Sequence, residues 1–258
     1  MKKLLLLLAI ITTTITIARG QTTVQMADTA FSHKEYAKAI ELYNDALAKQ
    51  GPNPDIYYNL GNAWYRDGDI SQAILSYERA LRLDPTHSDA RANLAFVNQS
   101  LVDKPEDNTS LLTKAHNKVV RSMTANGWAW TAFVVFLIIV CFAAVYIFSS
   151  NITLRKAGFF GGLVLLVPAI YFIVVAHDAA KRLSDNSGAI VTAESTLLNS
   201  QPRMPKETEK SVNLSRGIKV EIIDSVSTPD DEVSPKWYKV RINGSNPAWL
   251  RATDVTRI

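Results

Sequence analysis

Two long stretches without a charge constrain this chain more than anything else in it. Trp128 to Phe148, WAWTAFVVFLIIVCFAAVYIF, runs for 21 residues, and Gly158 to Ala176, GFFGGLVLLVPAIYFIVVA, for 19. A helix needs about 20 apolar residues to cross a hydrocarbon core, so 128–148 and 158–176 are both expected to be transmembrane helices. The alternative is a buried hairpin in a soluble core, where uncharged runs this long seldom occur. Trp128 and Trp130 at one end of the first run, and Tyr146 near the other, have the positions of an interfacial aromatic belt. Pro168 falls in the middle of the second run, where a membrane helix would kink and neighbouring groups would re-satisfy the freed carbonyl. The mean hydropathy of +0.02 therefore averages two greasy segments with polar surroundings.

The first twenty residues, MKKLLLLLAIITTTITIARG, have the charged, apolar and small-residue order of a secretory signal peptide, with a cut expected before Gln21. An uncleaved anchor helix is the other reading, and either one exports the region that begins at Gln21. No cysteine stands after the cut, which excludes a lipoprotein anchor there. An exported start, a crossing at 128–148, a cytoplasmic loop at 149–157 and a return at 158–176 leave both flanking regions outside. Arg155 and Lys156 in the loop agree with the positive-inside rule, but Lys114, Lys118, Arg121, Lys181 and Arg182 on the other flanks weaken that support. Gly158 and Gly162 form a small-xxx-small pair, which serves either the packing of the two spans or a dimer face. Cys141, the single cysteine, has no ionisable neighbour and reads as a small hydrophobe.

Between residues 21 and 104 the apolar pattern repeats. An offset of 34 aligns Ala39, Tyr43 and Ala46 with Ala73, Tyr77 and Ala80, and Met26, Ala27 and Ala30 with Leu60, Gly61 and Trp64. Leu60, Gly61 and Trp64 fall on one face of a helix, and Ala73, Tyr77 and Ala80 on one face of the next. Small residues let the two helices approach, and the rings fill what is left. Arg66-Asp67-Gly68-Asp69 is the expected turn, with Asp69 as cap of the second helix and Pro85 ending it. This period and residue set resemble the tetratricopeptide repeat, with about two and a half units and the last helix, near 88–102, serving as a cap.

Solenoids of this kind bind extended peptides or partner proteins on the concave surface lined by the first helix of each pair. Tyr58, Asn59, Asn62, Tyr65 and Arg66 from the second repeat and Asn93 from the third are the candidate partner-binding residues. Asn59 and Asn93 are 34 apart, so equivalent sites on that face could hydrogen-bond successive units of a ligand backbone. The plain alternative is that asparagine is a common solvent-facing residue of the repeat.

The linker 105–127 contains a juxtamembrane amphipathic helix over Thr109 to Asn126, expected either on the membrane surface or against the last repeat helix. A second linker, 177–187, leads to residues 188–258. There AIVTA, GIKVEII, KWYKVRI and AWLRA read as strands, with Asn243-Gly244 as a hairpin turn. The region resembles a small bacterial SH3-like barrel through Leu214, Gly217, Trp237 and Trp249-Leu250. Trp237 and Trp249 are a candidate ligand shelf for a peptide or cell-wall glycan, unless one of them fills the core. The acidic stretch TPDDEV, 228–233, reads as a solvated tip rather than a calcium site.

Nothing in the sequence assembles a catalytic site. His33, His87, His116 and His177 are scattered without metal-ligand spacing, and there is no phosphate-binding glycine loop or nucleophile elbow. A non-enzyme without metal or cofactor is the expectation. The formal net charge of +4 falls to +1 once Lys2, Lys3 and Arg19 are removed, and residues 21–104, with 8 basic and 11 acidic side chains, carry −3, against nucleic-acid binding.

In fold class the chain is multidomain: an all-α tetratricopeptide solenoid, a two-helix transmembrane hairpin and a small all-β SH3-like barrel. That order resembles the Bat-operon aerotolerance proteins of the BatE type. The resemblance implies a membrane-anchored scaffold in the bacterial inner membrane, with its N-terminal and C-terminal domains in the periplasm. The partners it implies are von Willebrand-type membrane proteins functionally linked to an AAA+ ATPase. A competing expectation is an envelope sensor or cell-wall binder whose barrel recognises peptidoglycan.

Overall fold

The computed structural model describes residues 23–101, 109–204, 212–227, 236–242 and 246–258. The signal peptide expected at 1–20, the helix-breaking 103–108, the acidic 228–233 and the Asn243-Gly244 turn lie outside the described residues. Two compact units form: Met1–Asn108 together with Asn186–Ile258, and Thr109–Asp185.

In the first unit, helices α1 (residues 23–32), α2 (Tyr36–Gln50), α3 (Pro54–Asp67), α4 (Ile70–Leu83) and α5 (Ser88–Gln99) succeed one another through short turns. The starts of α3, α4 and α5 each have a local chemical cause. Asn53 Oδ1 accepts from the Asp55 and Ile56 amides, with Pro54 opening α3, and Asp69 Oδ1 accepts from the Gln72 amide to open α4. The His87 ring nitrogen accepts from the Ala90 amide and caps α5. Gly68, at φ +98°, ends α3 in the left-handed conformation that glycine adopts at least cost.

Alanines fully withdrawn from solvent, among them Ala27, Ala39, Ala46, Ala63, Ala73, Ala80 and Ala90, line the helix contacts. Their small side chains bring the axes together, while Tyr43, Ile56 and Leu60 fill one core cluster and Ile74, Tyr77, Leu94 and Val97 the next. At Gly61 a Cβ would stand 2.6 Å from the Tyr77 ring, so only glycine fits the α3–α4 crossing.

Among the described residues, the C-terminal part of this unit has the strands β1 (Gly188–Val191), β2 (Ser195–Leu198), β3 (Val212–Ser215), β4 (Lys219–Ser227), β5 (Lys236–Arg241), β6 (Ala248–Arg251) and β7 (Val255–Arg257). They form an antiparallel sheet in the order β6-β5-β4-β1-β7 and a separate ribbon, β2-β3. Reciprocal main-chain hydrogen bonds of 2.8 Å between Asn199 and Trp249 join the ribbon to the β6 edge. An irregularity between Ile222 and Asp224 interrupts the pairing of β4 with β5, the kind of bulge that bends a strand. Ala189, Val191, Leu214, Val220, Val240 and Leu250 form the core.

The closed barrel expected from the sequence is not formed. Among the described residues, the three-residue strand β7 pairs with β1 and with no other strand. A helix covers it instead: Arg79 of α4 donates to the Arg257 carbonyl at 2.8 Å, and Arg82 to the main-chain oxygen of Ile258 and, at 2.7 Å, to Asn186 Oδ1. Covering an edge with a helix relieves the need for another strand. Lys219 Nζ sits 2.6 Å from Glu78 Oε2, and Ile190 of β1 is buried in the same cluster as Ile74 and Tyr77. Gly217, at φ +86°, approaches Ile74 and Leu101 so closely that a Cβ would lie 2.8 Å from the Leu101 side chain. The sheet and the repeat helices thus share a core.

The second unit holds α6 (Leu111–Val120), α7 (Ala125–Phe148) and α8 (Ile152–Ser184). Both α7 and α8 are long and apolar enough to cross a membrane. The expected continuous helix over 109–126 is broken at residues 121–124, because Thr124 Oγ1 accepts from the Gly127 amide and starts α7 afresh. Helix α6 packs against α8: Val120 is buried with Trp128, Val175 and Ala179, and His116 Nε2 lies 3.0 Å from Asp178 Oδ2. The loop expected at 149–157 shrinks to residues 149–151, since Asn151 caps α8 and puts Arg155 and Lys156 on the helix. Of the two glycines singled out, Gly158 makes the close approach, where a Cβ would meet the Phe142 carbonyl at 2.8 Å and the Tyr146 amide at 2.9 Å. Gly162 has ordinary clearance, and Gly161, against the Phe142 ring at 2.6 Å, is the second tight position.

Candidate partner-binding face

The six candidate residues of the repeats do not play one role. Asn62 Oδ1 accepts two hydrogen bonds of 2.8 Å, from the Tyr77 hydroxyl and from Asn93 Nδ2. Asn62 and Asn93 therefore tie α3, α4 and α5 together, and their paired groups are committed to the scaffold. Burial pushes the Tyr77 hydroxyl up to about 12, since ionising it would strand a charge between helices. The equivalent Tyr43 hydroxyl is raised further, first by burial and then by its hydrogen bond to Asp28.

Tyr58 is half-buried, 4.9 Å from the His87 ring and 6.2 Å from Tyr77, where α3 meets the start of α5. Tyr65 meets Phe96 of α5 edge-on at 6.0 Å, and Phe96 is 60% exposed. Asn59 is half-buried with no side-chain hydrogen bond among the described residues, and Arg66 is exposed. The open part of the face is thus an aromatic strip, Tyr58, Tyr65 and Phe96, flanked by the amide of Asn59 and the guanidinium of Arg66. Such a surface offers apolar contact and polar groups that can fix a bound segment. Asn59 and Asn93, equivalent by the 34-residue offset, are unequal in use, because among the described residues the Asn93 side chain has a hydrogen-bond partner and that of Asn59 has none.

Phe96 and His87 were not among the sequence candidates. Phe96 stands 34 residues after Asn62, so the repeat offset contained the signal; His87 lies in the connection before α5 and carried none.

On the sheet, Trp237 pairs with Arg251 and Trp249 with Lys239, which puts all four on one face. Trp237 is only 3% exposed, so a shelf made of both rings does not exist. Trp249 remains half-buried, with Lys239 Nζ 5.7 Å from its ring centre. Among the described residues no group of three or more His, Cys, Asp or Glu side chains is arranged to hold a metal.

The tetratricopeptide repeat family matches residues 24–88 of this chain. Among solved structures, the chain is similar to the Sgt2 TPR domain from Aspergillus fumigatus, with 30% identity over 31% of this chain and 54% of that one and a TM-score of 0.31. It is also similar to the first TPR of Spaghetti (RPAP3) bound to the HSP90 peptide SRMEEVD, with 26% identity over 33% of this chain and 67% of that one and a TM-score of 0.32. The chain spans about half the length of the Sgt2 domain. No curated protein matches it. Helices α1 to α5 form a tetratricopeptide-like solenoid, and a solenoid of that type is a protein-interaction module.

Proposed function

We propose that this protein is a non-catalytic, membrane-anchored scaffold that presents its repeat solenoid and sheet as one head on one side of a bilayer. The observation that carries the reading is the docking of the sheet on α4. Regions on either side of two bilayer-crossing helices can pack together only if the chain between them crosses an even number of times. The surfaces of α7 and α8 supply the other half: Phe133, Phe136, Leu137, Val164, Val167 and Ile170 are all exposed, a larger apolar surface than a water-soluble protein leaves open.

In this reading the strip of Tyr58, Tyr65 and Phe96, with Asn59 and Arg66, receives a segment of a partner protein. The head lies in the periplasm, and the hairpin in the bacterial inner membrane. The resemblance to BatE-type proteins suggests von Willebrand-type membrane proteins, linked to an AAA+ ATPase, as partners, and a link to aerotolerance. A peptidoglycan-binding role for the sheet has less support, because Trp237 is buried and leaves Trp249 alone. A photo-crosslinking residue at Tyr65 in intact cells tests the strip. It should capture a defined partner that the same residue at exposed Glu41, on α2, does not; equal labelling from both positions overturns the assignment of the strip as the binding surface.

A further inference from the structure

The first turns of α8 carry an unneutralised pair of cations beside an open hollow. Residues 109–185 contain seven basic side chains, Lys114, Lys118, Arg121, Arg155, Lys156, Lys181 and Arg182, but only two acidic ones, Asp178 and Asp185. Asp178 lies 22 residues along α8 from Lys156, about 33 Å at 1.5 Å per residue, beyond a screening length of about 8–10 Å. Neither Arg155 nor Lys156 forms an ion pair with any described residue.

Between the end of α7 and the first turns of α8 is an open surface hollow of about 320 Å³, lined by the exposed side chains of Tyr146, Ile152, Arg155, Lys156, Phe159 and Phe160. Tyr146, which lines it, also faces the close approach of α8 to α7 at Gly158. The Arg155 guanidinium carbon stands 5.5 Å from the centre of the Tyr146 ring, which packs on Phe159 at 5.7 Å, and Phe159 meets Phe160 at 5.3 Å. The cations lie about one turn nearer the polar end of α8 than the two phenylalanines, which are half exposed or more. A soluble phosphate ester would use the cations and leave the aromatic wall bare. A ligand that uses both has an anionic phosphate at one end and hydrocarbon at the other.

We propose that this hollow is a binding site for an anionic glycerophospholipid, its phosphate between Arg155 and Lys156 and the start of an acyl chain along Phe159 and Phe160. Basic pockets between membrane helices recognise such headgroups by this chemistry. The proposal rests on the membrane-spanning reading of α7 and α8.

The test uses the full-length protein. Flotation with phosphatidylcholine vesicles reads membrane insertion, and native mass spectrometry of the detergent-purified protein reads retention of phosphatidylglycerol against phosphatidylcholine. The wild type should float and retain phosphatidylglycerol preferentially. Arg155→Gln with Lys156→Gln should float equally and lose affinity for phosphatidylglycerol by about thirtyfold. The charge-preserving Arg155→Lys with Lys156→Arg should retain it, as should Lys114→Gln with Lys118→Gln on α6. Equal retention by the glutamine variant, or no preference over phosphatidylcholine in the wild type, overturns the site. Full displacement of the lipid by glycerol 3-phosphate would make it a soluble phosphate-ester site and also overturns the proposal. Failure of the wild type to float overturns the membrane reading itself, and the site with it.

Discussion

Tyr77 donates its hydroxyl proton to Asn62 at 2.8 Å, and 34 residues earlier Tyr43 donates to Asp28 at 2.5 Å. The repeat is thus written in polar contacts as well as in apolar spacing. The two bonds differ in setting: Asp28 is exposed and open to water, whereas Asn62 is half-buried and also holds Asn93.

Replacing Tyr77 by Phe should therefore cost about 1 kcal/mol, the usual net worth of a hydrogen bond. Tyr43→Phe should cost less, because water can take over at Asp28. Denaturant midpoints of the full chain in detergent check the order of the two values.

The raised Tyr77 hydroxyl also sets an alkaline limit. A tyrosine ionises near 10 when unfolded, and Tyr77 near 12 when folded. Above pH 10 the unfolded chain gives up a proton that the native state keeps, so stability falls as pH rises. The Tyr77 contribution should be constant below pH 10 and disappear between about 10 and 12. Thermal unfolding across that window should decline less steeply for Tyr77→Phe than for the wild type.

Two glycines separate packing from backbone conformation. Gly61→Ala forces a methyl group into the Tyr77 ring and should destabilise by about 1–3 kcal/mol. Gly51, at φ +83° and ψ −178°, has nothing within 4 Å of a Cβ but holds a backbone conformation that is essentially restricted to glycine, so Gly51→Ala meets backbone strain alone, about 1–3 kcal/mol. Both should lower the melting temperature, and Tyr77→Leu, which removes the ring, should shrink the shift of Gly61→Ala while leaving that of Gly51→Ala unchanged.

The union of sheet and solenoid depends on α4. Arg79→Ala with Arg82→Ala removes donors to Arg257, Ile258 and Asn186 and should release the sheet, detected as new proteolytic cleavage after α5. Glu78→Gln alone weakens a partly exposed ion pair and should change stability by less than about 1 kcal/mol.

The repeat helices were legible because small and aromatic residues recur at one offset and the caps at Asp69 and Gly68 are local. The strands β1, β4, β5 and β6 were legible from their β-rich runs. STLL, VNLS and VTR, which form β2, β3 and β7, are too short to carry an alternation of their own. The break between α6 and α7 was hidden because the apolar spacing continues through Met123, while the competing cap at Thr124 decides the outcome. Nor could the sequence reveal why the barrel stays open: Glu78, Arg79 and Arg82 look like a solvated helix face until residues more than 100 positions away pair with them. The burial of Trp237 on the sheet and the commitment of Asn93 to Asn62 on the repeats are likewise products of contacts between separate elements.

If the repeats and the sheet share one side of a membrane crossed twice between them, both must be reachable from that side. Single cysteines at exposed Ser88, Ser150 and Ser225, in a Cys141→Ala background, can be probed with a membrane-impermeant maleimide on spheroplasts before and after permeabilisation. Ser88→Cys and Ser225→Cys should both label on intact spheroplasts, and Ser150→Cys only after permeabilisation. Labelling of Ser88→Cys and Ser225→Cys from opposite sides would contradict the shared head.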